Sequence, residues 1–164
     1  MYKIYEVKIP ESSSYTKYIS DVDYSDAYKV RLKNLELSIE EIYNNVFSYV
    51  PSWIMRLMVF RNKIVSIFGL KTDTVLNDKK SLKVGERFGI FKIYSIEENE
   101  IIAGDDDKHL DFRVSVLKKD EELIVSTLVH YNNIFGKVYM TLIKPFHKLV
   151  IKVMIKNAVK KERI

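Results

Sequence analysis

The chain has 164 residues, of which 47% are hydrophobic and 30% are charged, and this balance predicts one globular domain spanning residues 1–164. It contains no cysteine, which excludes disulfides, thiolate catalysis and cysteine-ligated zinc. The net charge of +5 is unevenly distributed, because eight of the 27 basic residues but one of the 22 acidic residues lie from Phe135 onward. We therefore expect a basic last element and not a generally basic surface.

Targeting and membrane-spanning signals are not predicted. The first residues alternate between apolar and polar, without the apolar centre of a signal peptide. Lysines interrupt the C-terminal apolar segment at every turn, so no apolar run reaches the length that crosses a bilayer. We expect a soluble, cytoplasmic protein.

The early part of the chain predicts two strands and then a helix. The strands cover residues 2–9 and 27–33. Three apolar residues of the second strand share one face: Tyr28, Val30 and Leu32. Ser38 can cap the helix that follows, and Glu41 stands three residues on, where it completes a capping box.

A second helix, four strands and a long helix are predicted next. Pro51 suits the first turn of the second helix, whose apolar stripe runs to Gly69. The strands cover residues 87–96, 100–104, 108–117 and 122–132, and their connections are too short for anything but antiparallel hairpins. From Phe135 one helix runs to the end. The order predicts an α+β fold, in which an antiparallel sheet of about five or six strands wraps on a long C-terminal helix, with two shorter helices inserted after the early strands.

Four sequence blocks resemble a bacterial family of domains of unknown function. They are SYVPSWIMRLMVFRNKIV (48–65), VGERFGIFKIYS (84–95), DDDKHLDFRVSV (105–116) and LVHYNNIFGKVYMTLIKPFHKLVIKVM (128–154). Members occur alone or behind a nicotinamide-binding, reductase-like domain, and the family looks like the helix-grip superfamily of lipid-transfer, polyketide-cyclase and pollen-allergen-like (START-like) proteins. The resemblance implies a helix-grip fold, and a reductase partner would have to act in trans. It implies no catalytic residue.

A candidate acid–base cluster comes from the polar face of the strand at 108–117. His109 and Asp111 share that face, and a two-residue turn at 119–120 would place His109 opposite His130. These side chains are weak candidates for proton transfer. The alternative interpretation is an ordinary polar sheet face open to solvent.

Metal and cofactor sites are not predicted. The acidic run from Asp105 to Asp107 has Leu110 and Val116 where a calcium loop needs glycine and glutamate. Neither a phosphate-binding loop nor a dinucleotide fingerprint occurs.

Aromatic residues from several elements predict an apolar pocket between the sheet and the last helix. An arginine one turn from Phe60 would give the pocket a polar end for an amphiphilic ligand. The candidate ligand-binding residues are Trp53, Arg56, Phe60, Phe91, Phe112, Tyr131 and Phe146. The alternative is that each aromatic residue simply belongs to the core.

Lysines recur at every fourth position of the last helix: Lys144, Lys148, Lys152, Lys156 and Lys160. Apolar residues lie roughly opposite them: Phe146, Val150, Met154 and Ala158. This pattern predicts the solvent face of a helix that closes the core, and it leaves open a contact with an anionic membrane surface or an acidic partner. Nucleic-acid binding is not predicted, since no known motif appears.

Three functions remain open on these grounds. The first is a cofactor-free protein that binds or carries an apolar or amphiphilic small molecule between sheet and helix. The second is a cofactor-free cyclase, hydratase or isomerase using His109, Asp111 or His130, which requires these side chains to face the cavity. The third is a peripheral membrane-associated protein that uses the lysine face.

Overall fold

The computed structural model of the chain describes residues 3–66 and 81–164, and of residues 64–66 it describes the backbone only. The strands are β1 (Tyr5–Val7), β2 (Tyr24–Arg31), β3 (Arg87–Phe88), β4 (Phe91–Ile96), β5 (Glu100–Asp106), β6 (Leu110–Lys119) and β7 (Glu122–Tyr131). The helices are α1 (Ile39–Phe47), α2 (Ser52–Ser66) and α3 (Ile134–Lys160), and a short 3-10 turn covers Ser14–Lys17. The predicted α+β order is confirmed. The predicted helix end at Gly69 lies outside the described residues.

The strands form one antiparallel sheet in the order β1-β2-β7-β6-β5-β4-β3. It has seven strands, because a turn that includes Gly89, at φ 63°, divides the predicted strand 87–96 into β3 and β4. The β4–β7 segment is the predicted meander, whereas β2 pairs with β7 from far away in the chain. Within the described residues, no helix combines the length and apolarity needed to cross a bilayer.

The inner face of the sheet, defined as the face toward α1 and α3, carries the core. The capping box at the start of α1 is confirmed, since the Glu41 backbone N–H donates to Ser38 Oγ and the Ser38 backbone N–H donates to the Glu41 carboxylate. This start orients the apolar side of α1 toward the sheet. The fully buried core residues include Tyr28, Ile42, Tyr43, Ile101, Leu123 and Ile155.

The middle of the outer face of the sheet is also buried, so the prediction that this face is open to solvent is wrong there. The N-terminal strap, residues 8–23, crosses it between β1 and β2. Ser13 Oγ donates to Glu100 Oε1 at 2.5 Å, and the Ser14 backbone N–H donates to Glu100 Oε2 at 2.7 Å. Ser115, on the strand next to Glu100, donates to Oε1 at 2.5 Å and is fully buried. Alternation predicts that this face is polar, but it does not predict what covers it.

The strap contacts give a first prediction. Replacing Ser115 by alanine should lower the free energy of unfolding by about 1 kcal/mol, because the buried Glu100 carboxylate loses one hydrogen-bond donor. Urea unfolding followed by circular dichroism measures the change. Ser25→Ala is the matched control, since Ser25 is an exposed serine of β2. Equal effects of the two substitutions would show that the Ser115 hydroxyl does not stabilise the fold.

The register of β6 and β7 differs from the predicted one by two residues. Lys119 pairs with Glu122, so the turn is Asp120–Glu121, and Asp120 takes φ 53°. Aspartate tolerates this left-handed conformation better than lysine does. His130 therefore lies opposite Asp111 and not opposite His109. A shift of two residues leaves every side chain on its predicted face.

Candidate functional site

A polar cluster interrupts the apolar inner face where β2, β7 and the middle of α3 meet. Alternation along β2 places Tyr24, Asp26 and Tyr28 on the same face as the core residue Val30. The side chain of Asp26 is 1% exposed, although carboxylates are rarely buried without a full set of partners. We call the Asp26 cluster the set Tyr24, Asp26, Tyr28, Thr127 and His147.

Within the cluster, every contact that the structure describes for the Asp26 carboxylate is made by one oxygen, Oδ2. The Tyr24 hydroxyl donates to Oδ2 at 2.5 Å, and the Tyr28 hydroxyl lies 3.5 Å from the same oxygen. His147 Nε2 from α3 is 3.6 Å from Oδ2, which is an ion-pair distance when the imidazole is protonated. The helix thus brings an imidazole to a carboxylate that the sheet holds in place.

Three buried polar atoms of the cluster have no hydrogen-bond partner among the described residues. They are Asp26 Oδ1, Thr127 Oγ1 and His147 Nε2. Thr127 is the residue of β7 that lies directly opposite Asp26. Because buried polar atoms are almost always paired, these atoms leave hydrogen-bonding capacity in the cluster that the described residues do not use.

The electrostatics keep the carboxylate charged and the hydroxyls protonated. Burial by itself raises the pKa of Asp26, but the His147 imidazole, the Tyr24 hydroxyl and Lys148 outweigh it and lower the pKa below its ordinary value. Burial first, and then Asp26, raises the pKa of both Tyr24 and Tyr28 well above the usual range. At neutral pH the cluster therefore contains a carboxylate acceptor and two hydroxyl donors.

Part of the lysine row lies over β1 and β2 and not in free solvent. Lys144 and Lys152 each place Nζ 5.0 Å from a ring centroid, of Tyr24 and Tyr28 respectively, and Lys148 Nζ is 2.6 Å from Glu6 Oε1. The solvent-face interpretation is thus wrong for Lys148 and Lys152, which are half-buried, whereas Lys144 is exposed as predicted. Lys156 and Lys160, farther along, are exposed as predicted.

Three of the predicted ligand-binding residues lie on the inner face. The rings of Phe91 and Phe112 are in contact, with centroids 6.0 Å apart, and Phe47 of α1 extends this row at 5.5 Å from Phe91. Tyr131 projects from β7 to the same face. All four rings are half-buried, so the aromatic row is not sealed inside the core.

The other four predicted ligand-binding residues are exposed. Trp53, Arg56 and Phe60 lie on the exposed side of α2, and Phe146 is 53% exposed on α3. The buried stripe of α3 passes through His147 and Ile151, which turns Phe146 outward. Met154 and Ala158 are buried as predicted, and Val150 is half-buried.

The predicted acid–base residues lie at one end of the sheet. Asp111 and His130 are on the outer face, where Asp111 accepts from Asn132 Nδ2 and His130 Nδ1 is 2.7 Å from the Asp21 carbonyl oxygen of the strap. His109 packs against Phe135, with ring centroids 4.5 Å apart and the ring planes inclined by 56°. The structure therefore does not place Asp111 and His130 on the inner face, as the enzyme hypothesis requires.

Sequence reasoning did not identify Asp26, Thr127 or the role of His147. The predicted strand began at residue 27, three residues after the observed start at Tyr24. Extending its alternation backward by two positions would have placed Asp26 on the face of Tyr28, Val30 and Leu32. A carboxylate on an apolar strand face is the available signal, whereas the contact with His147 depends on tertiary structure.

Comparisons with known proteins give one match. No curated protein and no solved structure matches the chain. The model of a family described as a protein of unknown function, DUF2867, matches residues 18–154, which include β2, the meander and most of α3. The chain therefore belongs to the DUF2867 family.

Proposed function

We propose that this protein binds an amphiphilic small molecule between the inner face of the sheet and α3, with a hydroxyl group of the ligand held by the Asp26 cluster. The observation that carries the proposal is that one cluster holds three buried polar atoms without a hydrogen-bond partner among the described residues: Asp26 Oδ1, Thr127 Oγ1 and His147 Nε2, the last of which has only its ion-pair contact with Asp26 Oδ2. The order of strands and helices also agrees with the helix-grip arrangement that the sequence resemblance implies.

A hydroxyl group suits these atoms better than a charged group does. It can donate to Asp26 Oδ1, which as a carboxylate oxygen only accepts, and it can accept from Thr127 Oγ1. A ligand carboxylate would be repelled by Asp26. An ammonium group would be repelled by Lys144 and Lys148, which lie beside the cluster.

The half-buried aromatic row gives the apolar part of the ligand a surface to cover. Phe47, Phe91 and Phe112 contact one another edge to face on the side of the sheet that faces α3. Covering apolar surface that water still reaches stabilises a complex by roughly 25 cal/mol per Å². Polar selection at Asp26 and apolar contact along the row together favour an amphiphile.

The test compares ligands that differ only in their polar group. Dodecanol, dodecylamine and dodecanoate compete with the fluorescent probe N-phenylnaphthylamine, and native mass spectrometry of protein purified from its own host identifies any co-purifying molecule. We expect dodecanol to displace the probe at the lowest concentration. Tightest binding of dodecanoate would contradict the proposed role of Asp26, and the failure of all three to bind would contradict the proposed function.

A threonine substitution gives the second prediction. Thr127→Val keeps the shape of the side chain and removes its hydroxyl, so dodecanol should bind about tenfold more weakly, as expected for one lost hydrogen bond of about 1.4 kcal/mol. Thr141→Val is the matched control on the exposed side of α3. Unchanged dodecanol affinity in Thr127→Val would place the ligand elsewhere.

A further inference from the structure

The outward side of α3 carries an apolar stripe over its first half. Ile134 is 80% exposed and Leu142 is 68% exposed, and the stripe is completed at spacings of three and four residues by Val138, Phe146 and Leu149. At about 100° per residue these side chains cover an arc of about 120°. It lies opposite the buried residues Met140 and Ile151 and the half-buried His147, so the packing of α3 on the sheet does not cover it.

A second set of exposed apolar side chains lies on the neighbouring helix α2. Trp53, Val59 and Phe60 are all exposed, and Phe60 is 61% accessible. Arg61 Nε donates to the Tyr139 hydroxyl at 2.9 Å, and this contact joins α2 to α3 next to Val138. We call these three residues and the five of α3 the helical patch. Large exposed apolar patches of this kind mark interaction surfaces.

The charged residues of the two helices that carry the helical patch all have one sign. The sequences of α2 and α3 contain no acidic residue, and their basic residues include Arg56, Lys63, Lys137 and Lys144. Lys137 is exposed near the start of the α3 stripe, and Arg56 is exposed one helical turn from Phe60 on α2. Apolar side chains with flanking lysines and arginines are the pattern of helices that lie in the interface of a membrane.

The same charge argues against a second copy of this chain as the occupant. A two-fold symmetric interface would bring equal positive charges together across the contact, which opposes association. An anionic bilayer presents phosphate groups to the basic residues and hydrocarbon to the apolar stripe, so it satisfies both features at once.

We infer that the protein docks on anionic lipid bilayers through the helical patch, with the apolar side chains inserted among the headgroups. This inference is independent of the ligand in the Asp26 cluster, because it depends on the outward sides of α2 and α3. Docking would place the outward side of α3 against the membrane, with His147 on the opposite, sheet-facing side of the same helix.

Vesicle flotation tests the inference. The protein is mixed with vesicles of phosphatidylcholine alone or of phosphatidylcholine with phosphatidylglycerol, at low and high salt. We expect binding to the anionic vesicles and weaker binding at high salt, since salt screens the lysines. Equal binding to both vesicle types, or binding to neither, would overturn the inference.

Two sets of variants separate the apolar and the charged contributions. Leu142→Gln should weaken vesicle binding about tenfold, as expected when one leucine no longer enters the bilayer. Lys137→Gln with Arg56→Gln should lower binding at low salt and make it less salt-dependent. The matched controls are Val84→Gln and the pair Lys92→Gln with Lys119→Gln, all at exposed positions outside the helical patch.

The outcomes distinguish the membrane from other occupants. Circular dichroism should show that Leu142→Gln is folded, because the side chain is exposed. In the Leu142→Gln variant, dodecanol should displace N-phenylnaphthylamine as it does in the wild type. The proposed ligand site can therefore be tested separately if the docking test fails. If sedimentation equilibrium shows a dimer that Leu142→Gln dissociates, the patch is an interface between copies, and the membrane inference is overturned. If Leu142→Gln binds the vesicles as tightly as the wild type does, the inference is overturned as well.

Discussion

Replacing Gly136 by alanine should lower the free energy of unfolding by about 3 kcal/mol, the upper part of the range for overpacked sites. Gly136 is buried in the first turn of α3, and an added Cβ atom would lie 1.9 Å from the His109 carbonyl oxygen. That oxygen is fixed, because it accepts from the Asn132 backbone N–H at 2.9 Å. The helix start is fixed too, since Asn133 caps it by accepting from the Gly136 backbone N–H. Neither the backbone at His109 nor the start of α3 can therefore move away without disturbing these hydrogen bonds.

The sign of this effect separates packing from helix propensity. Alanine is favoured over glycine in a helix by about 1 kcal/mol, so propensity alone predicts that Gly136→Ala stabilises the protein. Lys137→Ala is the matched control at the next, exposed position, where we expect a change within about 0.5 kcal/mol. Urea unfolding gives both values. A more stable Gly136→Ala variant would show that α3 does not approach β6 as closely as described.

Replacing Asp26 by asparagine should cost about 2 kcal/mol at neutral pH, in the range for hydrogen bonds to a charged group. Asp26 has its pKa lowered in the folded state, against the effect of burial, by His147, Tyr24 and Lys148. As the pH falls below the ordinary aspartate pKa of about 3.9, the unfolded chain binds the proton before the folded chain does. The contribution of Asp26 is therefore complete above about pH 5 and is lost as the pH falls through the folded pKa.

Unfolding by urea across this pH range measures the prediction. The curves of the wild type and Asp26→Asn should differ by about 2 kcal/mol at pH 7 and converge in acid. The groups that face the carboxylate are Tyr24 and Tyr28 of β2 together with His147 and Lys148 of α3. Asp120→Asn removes the same charge from an exposed turn and should keep the wild-type profile. A constant difference between wild type and Asp26→Asn down to pH 2 would contradict the lowered pKa.

Local sequence signals predicted the elements that depend on neighbouring residues. Ser38 and Glu41 are three positions apart, so their capping box follows from helix geometry and is confirmed. The meander follows in the same way from the short connections between its strands. The β6–β7 register required knowing which two residues form the turn, and the φ of 53° at Asp120 decided it. The predicted sheet face of each side chain was nonetheless correct, because a register shift of two residues leaves the alternation of faces unchanged.

The candidate site was harder to predict, because its members come from distant parts of the chain. Asp26, Thr127 and His147 have no common spacing or motif, and they meet only when β2 pairs with β7 and α3 packs on both. The burial of the outer face has the same origin. Ser13 and Ser14 look like a polar linker in sequence, and their contact with Glu100 depends on the path of the N-terminal strap across the sheet.

The pairing of β2 with β7 has a consequence for how the protein folds. Arg31 lies opposite Glu122, so residues 32–121 must be made before the two strands can meet. Contacts so distant in sequence slow folding, because the intervening chain must be ordered before they form, while the hairpins of β4–β7 can form locally. During synthesis β2 has only β1 as a partner until β7 emerges. The Asp26 cluster needs β2, β7 and α3 together, so we expect it to be among the last parts of the molecule to acquire its native structure.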